Sequence, residues 1–253
     1  MERRQPQRNG RHGDHTAARP VVFVPGVGAA TGGWTLLRRH LEREGFAFTS
    51  LFPADPQHAD LPHLADQLAH HVESIRALAE ADEVHLVGHN IGGMVARYFV
   101  QLLGGEHATA SLVTIGSPHA GTAVTQPGWG PAAAQLRRGS GILRHLEEST
   151  RPMRVRWISY FSEHDPFVNP ATSAVLREPV LAADNVLVVD HPALSLVVPA
   201  FVGRSVAKRL TRIERGTDVR RAGVPGVSRL EPEGSLRVGR HAGRASRVLS
   251  QAG

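Results

Sequence analysis

Residues 84–100 read VHLVGHNIGGMVARYFV. An apolar run, Val84 to Val87, leads into Gly88-His89-Asn90-Ile91-Gly92-Gly93, and a helical pattern begins at Met94. A strand, a tight turn and a helix in this order form the setting that, written G-x-S-x-G, presents a serine hydroxyl as a nucleophile. Here Asn90 stands where the serine would be. Such a turn forces its central residue to positive φ, and asparagine is one of the few non-glycine residues that tolerate it. Asn90 therefore keeps the backbone shape and removes the hydroxyl. An amide offers no proton whose abstraction would create a nucleophile. The N–H of Ile91 would still point to where a developing oxyanion sits.

Two other stretches could complete a site. PVVFVPGVG at 20–28 is a short β-branched run closed by Pro25-Gly26, and the N–H of Val27 stands where a second oxyanion donor is needed. The rival reading, a phosphate-binding glycine loop, lacks both the G-x-x-x-x-G-K-[ST] and the G-x-G-x-x-G spacing. SYFSEHDPFVNP at 159–170 places Asp165 just past a strand ending near Phe161, where a carboxylate could orient a histidine. Asp-Pro is also a common turn pair, and these residues alone leave both readings open. His58, His63, His70 and His71 suggest a metal site, with His63, Asp66 and His70 near one helical face. They lie off the apolar stripe, so a solvated face is the expected reading, with no metal and no cofactor.

The elements that would position these residues follow from periodicity. Val21–Val24 and FAFTSLF at 46–52 read as strands. Trp34, Leu37 and Leu41 share one helical face, with Thr31 as the candidate cap and Gly45 as the stop. Leu61, Leu64, Leu68, Val72, Ile75 and Leu78 have helical spacing over the next helix. Strands follow at Val84–Val87, Leu112–Ile115, within RVRWISYFS, and last in NVLVVD at 185–190; helices are expected at Gly92–Leu103 and Ser195–Leu210. Strands that are continuously apolar and alternate with helices indicate a mostly parallel α/β sheet with helices on both faces.

Composition sets the outer limits. The chain has 253 residues, 41% hydrophobic and without cysteine, enough for one sizeable core and no disulfide framework. The net charge of +6 is uneven: residues 1–20 carry +3, residues 204–253 carry +8, and 21–203 carry −5. The basic charge thus belongs to the ends, which argues against specific nucleic-acid binding by the folded part. Domain organisation is expected as a disordered basic segment at 1–19, one domain at 20–213, and a disordered Arg-rich segment at 214–253. No apolar run approaches a membrane span, and residues 1–20 lack the apolar stretch of a secretory signal. The expected protein is a cytoplasmic monomer.

The chain resembles the bacterial α/β-hydrolase lipases and esterases of the small class 2 type. The resemblance rests on PVVFVPGVG, VHLVGHNIGG, LVTIGSPHAGT at 112–122, AAQLRRGSGILRHLEE at 133–148, WISYFSEHDPFVNP at 157–170 and NVLVVDHPALSL at 185–196, in this order. It implies a compact α/β-hydrolase fold without a large cap, and a small-molecule acyl ester or lipid as substrate. It implies Asn90 at the nucleophile position, Asp165 as the acid, Val27 and Ile91 as oxyanion donors, and Gly26, His89, Ser117 and His119 on the substrate side. It also exposes a second departure: the family's histidine position is Ala193, and the nearest histidine is His191, a possible shifted base. A retained fold with a degenerate site is the expectation, either as a weak hydrolase or as a non-catalytic module binding an acyl ligand or a protein partner.

Overall fold

The structure, a computed structural model, describes residues 18–26, 31–124, 130–191, 198–218, 227–232 and 236–237. Its strands are β1 (Val21–Val24), β2 (Thr49–Leu51), β3 (Val84–His89), β4 (Thr109–Ile115), β5 (Arg156–Phe161), β6 (Asp184–Val188), β7 (Val227–Leu230) and β8 (Leu236–Arg237). The helices are α1 (Thr31–Arg43), α2 (Leu61–Ala79), α3 (Ile91–Leu102), α4 (Gly130–Ala134), α5 (Gly141–Glu148) and α6 (Ala200–Glu214). One sheet runs in the order β2-β1-β3-β4-β5-β6-β7-β8. Every pairing is parallel except the last, β7 with β8. This is the expected α/β-hydrolase fold.

Strand alternation sorts side chains between two cores. Val22, Val24, Leu86 and Leu112 face α2 and α3, where Leu64, Leu68, Val72, Met94 and Val95 meet them. Val21, Phe23, Val87, Val113 and Ile158 face α1 and α6, where Leu37, Leu41, Val202, Val206 and Leu210 meet them. Strands β1, β3 and β5 are buried throughout, as strands covered on both faces must be. Each such Val or Leu contributes roughly 1.5–3 kcal/mol.

Two expectations need correction. Leu78 has the right spacing for the α2 stripe but is 73% exposed, because it falls in the helix's last turn, beyond the buried positions that end at Ile75. The segment after 213 is not uniformly a tail. Residues 227–230 form β7 against β6, in register Asn185↔Val227 to Val188↔Leu230. Asp218 is drawn in as well, pairing with Arg156 at 2.5 Å. β7 was hidden because it is four residues long and buries only Leu230 fully, so it has no apolar run. No helix among the described residues is long and apolar enough to cross a membrane.

Candidate active site

The parallel sheet brings the ends of β1, β3, β4, β5 and β6 to one edge, and the described site residues expected from the sequence lie at or just beyond these ends, His89 closing β3 itself. Ligands of open α/β sheets bind at this edge. At the end of β3, Asn90 has φ 51° and ψ −122°, outside the regions ordinary side chains occupy. A conformation of this kind costs of order 1–3 kcal/mol and persists only where its surroundings over-determine it. Here they do. The Asn90 N–H donates to the Ile115 carbonyl at 2.9 Å, and the Gly93 N–H donates to the Asn90 carbonyl at 3.1 Å.

The glycines are required by contact. A Cβ on Gly92 would land on the Val24 and Pro25 carbonyls, and one on Gly88 would land on the backbone of Gly93. A Cβ on Gly26 would lie 2.6 Å from the His89 carbonyl and 2.9 Å from the Asn90 Cβ. Gly26 thus backs directly onto the turn. Ile91 opens α3, whose first N–H groups have no helical partner, and Asn90 makes no side-chain cap. Val27 and Ala193 lie outside the described residues.

Asp165, past β5, is 6% exposed. Its Oδ1 accepts the N–H of Phe167 at 3.0 Å, so it does hold the Asp-Pro turn. Its charge also reaches His191, past β6. Burial pulls the His191 imidazole below its ordinary pKa, and the Asp165 carboxylate acts in the opposite sense. The His191 Nδ1 is buried without a hydrogen-bond partner. The Ser162 hydroxyl donates to the His191 carbonyl, and the ring leans on Phe201 with centroids 6.2 Å apart. Phe201 was not legible as a support of this loop because it belongs to no motif, and Ser162, though within SYFSEHDPFVNP, carries no mark of that role in the pattern.

The remaining candidates are more deeply placed. His89 is 1% exposed and meets Trp34 edge-on at 6.1 Å. Ser117 is fully buried under α3, its hydroxyl on the spot that a Gly93 Cβ would take. His119 is 5% exposed, with Nε2 2.9 Å from the Thr114 hydroxyl. Its carbonyl accepts from Arg97, a 2%-exposed cation on α3 that the sequence reading passed over. The signal existed: Arg97 interrupts the apolar segment IGGMVARYFVQL. His63, Asp66 and His70 lie along α2; His63 is 3.0 Å from Gln67, and His70 is 3.8 Å from Asp66. His71 meets Ser50 at 3.0 Å.

Solved structures with this fold include Aspergillus fumigatus lipase B, 15% identical, with a TM-score of 0.59 over 84% of this chain and 66% of that one. Bacillus licheniformis lipase BlEst2 in its propeptide form is 16% identical, with a TM-score of 0.63 over 84% of this chain and 53% of that one. A carboxylesterase of the thaumarchaeon Nitrososphaera gargenis is 10% identical, with a TM-score of 0.55 over 79% of this chain and 92% of that one. The chain spans about two thirds of the Aspergillus lipase and about half of the BlEst2 propeptide form. At these identities the likeness is one of fold. A sequence match is more particular: the model of the palmitoyl protein thioesterase family matches residues 20–173, which runs from the residue before β1 through the turn of Asn90 and past Asp165. With more than half its length matched, the chain belongs to the palmitoyl protein thioesterase family, within the α/β-hydrolases.

Proposed function

We propose that this protein recognises the carbonyl of an acyl ester or thioester at the Asn90 turn and does not cleave it by the covalent serine route. The observation that carries this reading is the strained turn with an amide at its tip. The N–H of Ile91, at the start of α3, is the donor for the carbonyl oxygen in this reading. The Asn90 side chain can hydrogen-bond the acyl group but cannot be acylated as a serine is. Family membership supports a lipase- or esterase-like ancestry, and the family's name adds a fatty-acyl thioester to the substrates to be tried.

The test is hydrolysis of a short-chain p-nitrophenyl ester and of palmitoyl-CoA by wild type, by N90S and by N90S combined with A193H. Wild type should bind without turnover, and the double variant should turn over at least about a thousandfold faster, since losing a triad member costs about that much or more. Turnover by wild type sinks the binding reading.

A second reading has its own support. Burial lowers the His191 pKa and the Asp165 carboxylate only partly offsets it, which leaves a neutral imidazole beside a carboxylate, a pair that could activate a water. In that case wild type hydrolyses the ester slowly, D165A loses that rate, and N90S leaves it within a few-fold.

A further inference from the structure

Between α3, α5 and residues 175–179 lies a cavity of about 440 Å³, lined by none of Asn90, Asp165 and His191. Its volume suits a small molecule. Arg97, on its wall, is seven residues beyond Asn90, about 10 Å along the helix.

The inner wall is polar and deeply buried. The Arg97 guanidinium donates to the Gln101 side chain, to the His119 carbonyl at 3.3 Å and to Glu178 at 2.6 Å. His119 lines the same cavity, and its Nδ1 is buried with no hydrogen-bond partner. Burial, with the Arg97 charge beside it, pushes the imidazole well below its usual pKa, so the ring is neutral. A buried ring nitrogen left without a partner costs roughly 1–3 kcal/mol. The rim differs. Arg144 and Arg177 are exposed, and neither side chain has an ion pair or hydrogen bond among the described residues. Arg97 and Glu178 neutralise each other, which leaves two guanidinium groups facing the single carboxylate of Glu147.

We propose that this cavity is a second ligand site, taking a small molecule with an oxyanion group that Arg144 and Arg177 hold at the rim, against an inner wall to which the His119 ring contributes. Planar guanidinium forks suit both carboxylate and phosphate. The site is separate from the Asn90 turn and does not depend on the reading given to that turn.

Calorimetric titration of the full chain at low salt, with inorganic phosphate in one arm and citrate in the other, tests this. At least one probe should bind saturably with one-to-one stoichiometry, and the better probe identifies the oxyanion. R144Q combined with R177Q should weaken that binding at least tenfold with the melting temperature unchanged, since both side chains are exposed. The ¹⁵N resonance of His119 Nδ1 should move as the probe is added to wild type. No saturable binding of either probe overturns the proposal. So does equal binding by the double variant, which would put the anion on the Arg-rich chain ends, and so does an unmoved His119 resonance.

Discussion

The two edges of the sheet are built on opposite terms. At the edge where the strands begin, charges are paired at short range. Arg19 meets Glu83 at 3.0 Å and Glu214 at 2.6 Å, and His85 bridges Glu214 at 3.0 Å and Ser111 at 2.7 Å. Next to this, Asp184 takes Arg156 and Arg209, each at 2.6 Å, and Asp218 takes Arg156. At the edge where the strands end, the backbone is strained at Asn90, and Ser117 Oγ, His119 Nδ1 and His191 Nδ1 are buried without partners. Ion pairs concentrate at the first edge and backbone strain at the second; buried polar atoms without partners occur at both, Thr109 Oγ1 and Trp157 Nε1 lying near the strand starts. What distinguishes the second edge is the strained turn at Asn90, which costs stability and persists because its surroundings over-determine it.

The contrast can be broken from either edge. The largest effect belongs to the strand-end edge: placing a serine and a histidine there with N90S and A193H should raise ester turnover at least about a thousandfold, equivalent to about 4 kcal/mol of barrier. At the strand-start edge, D184N leaves Arg156 and Arg209 short of a carboxylate. It should lower stability by about 3 kcal/mol in urea unfolding, as removing one member of a buried pair does. E214Q should cost less, about 1–2 kcal/mol at pH 7 after allowance for solvent screening. Its pH signature is distinctive. Burial would raise the Glu214 pKa, but hydrogen bonds from His85 and Arg19 outweigh it and hold the pKa at about 2 against an ordinary 4.5. A depressed carboxylate contributes fully above its unfolded pKa and loses the contribution as pH falls through the folded one. Wild type should therefore weaken between about pH 5 and pH 2, and the E214Q curve should be flatter there. The smallest effect sharpens the comparison: S117A removes a buried hydroxyl that has no partner, so stability should stay within about 0.5 kcal/mol or rise.

What could be read from the sequence was local. Val84–Val87 followed by glycines specifies a strand, a turn and a helix within ten residues, and Asn90 could be assigned positive φ because few other side chains accept it. Trp34, Leu37 and Leu41 declared the buried face of α1 by spacing alone, and all three are buried. What escaped was non-local. His85 and Glu214 are 129 residues apart and share no pattern, so only the folded chain reveals their pairing. β7 lacks an apolar run because its edge of the sheet is only partly covered. The cavity beside Arg97 escaped for the same reason, since it forms only where α3, α5 and residues 175–179 converge.

The seam beneath Asn90 carries a consequence for descent. Gly88 and Gly92 pack against backbone of the strand ends and the turn, Gly26 against the His89 carbonyl and the Asn90 Cβ, and Gly93 against the Ser117 and Thr114 side chains. These contacts require glycine at four positions around the tip. Asparagine and the AGU and AGC serine codons differ by a single nucleotide, so a lineage could exchange the side chain at this tip while the glycines beneath it stay as they are.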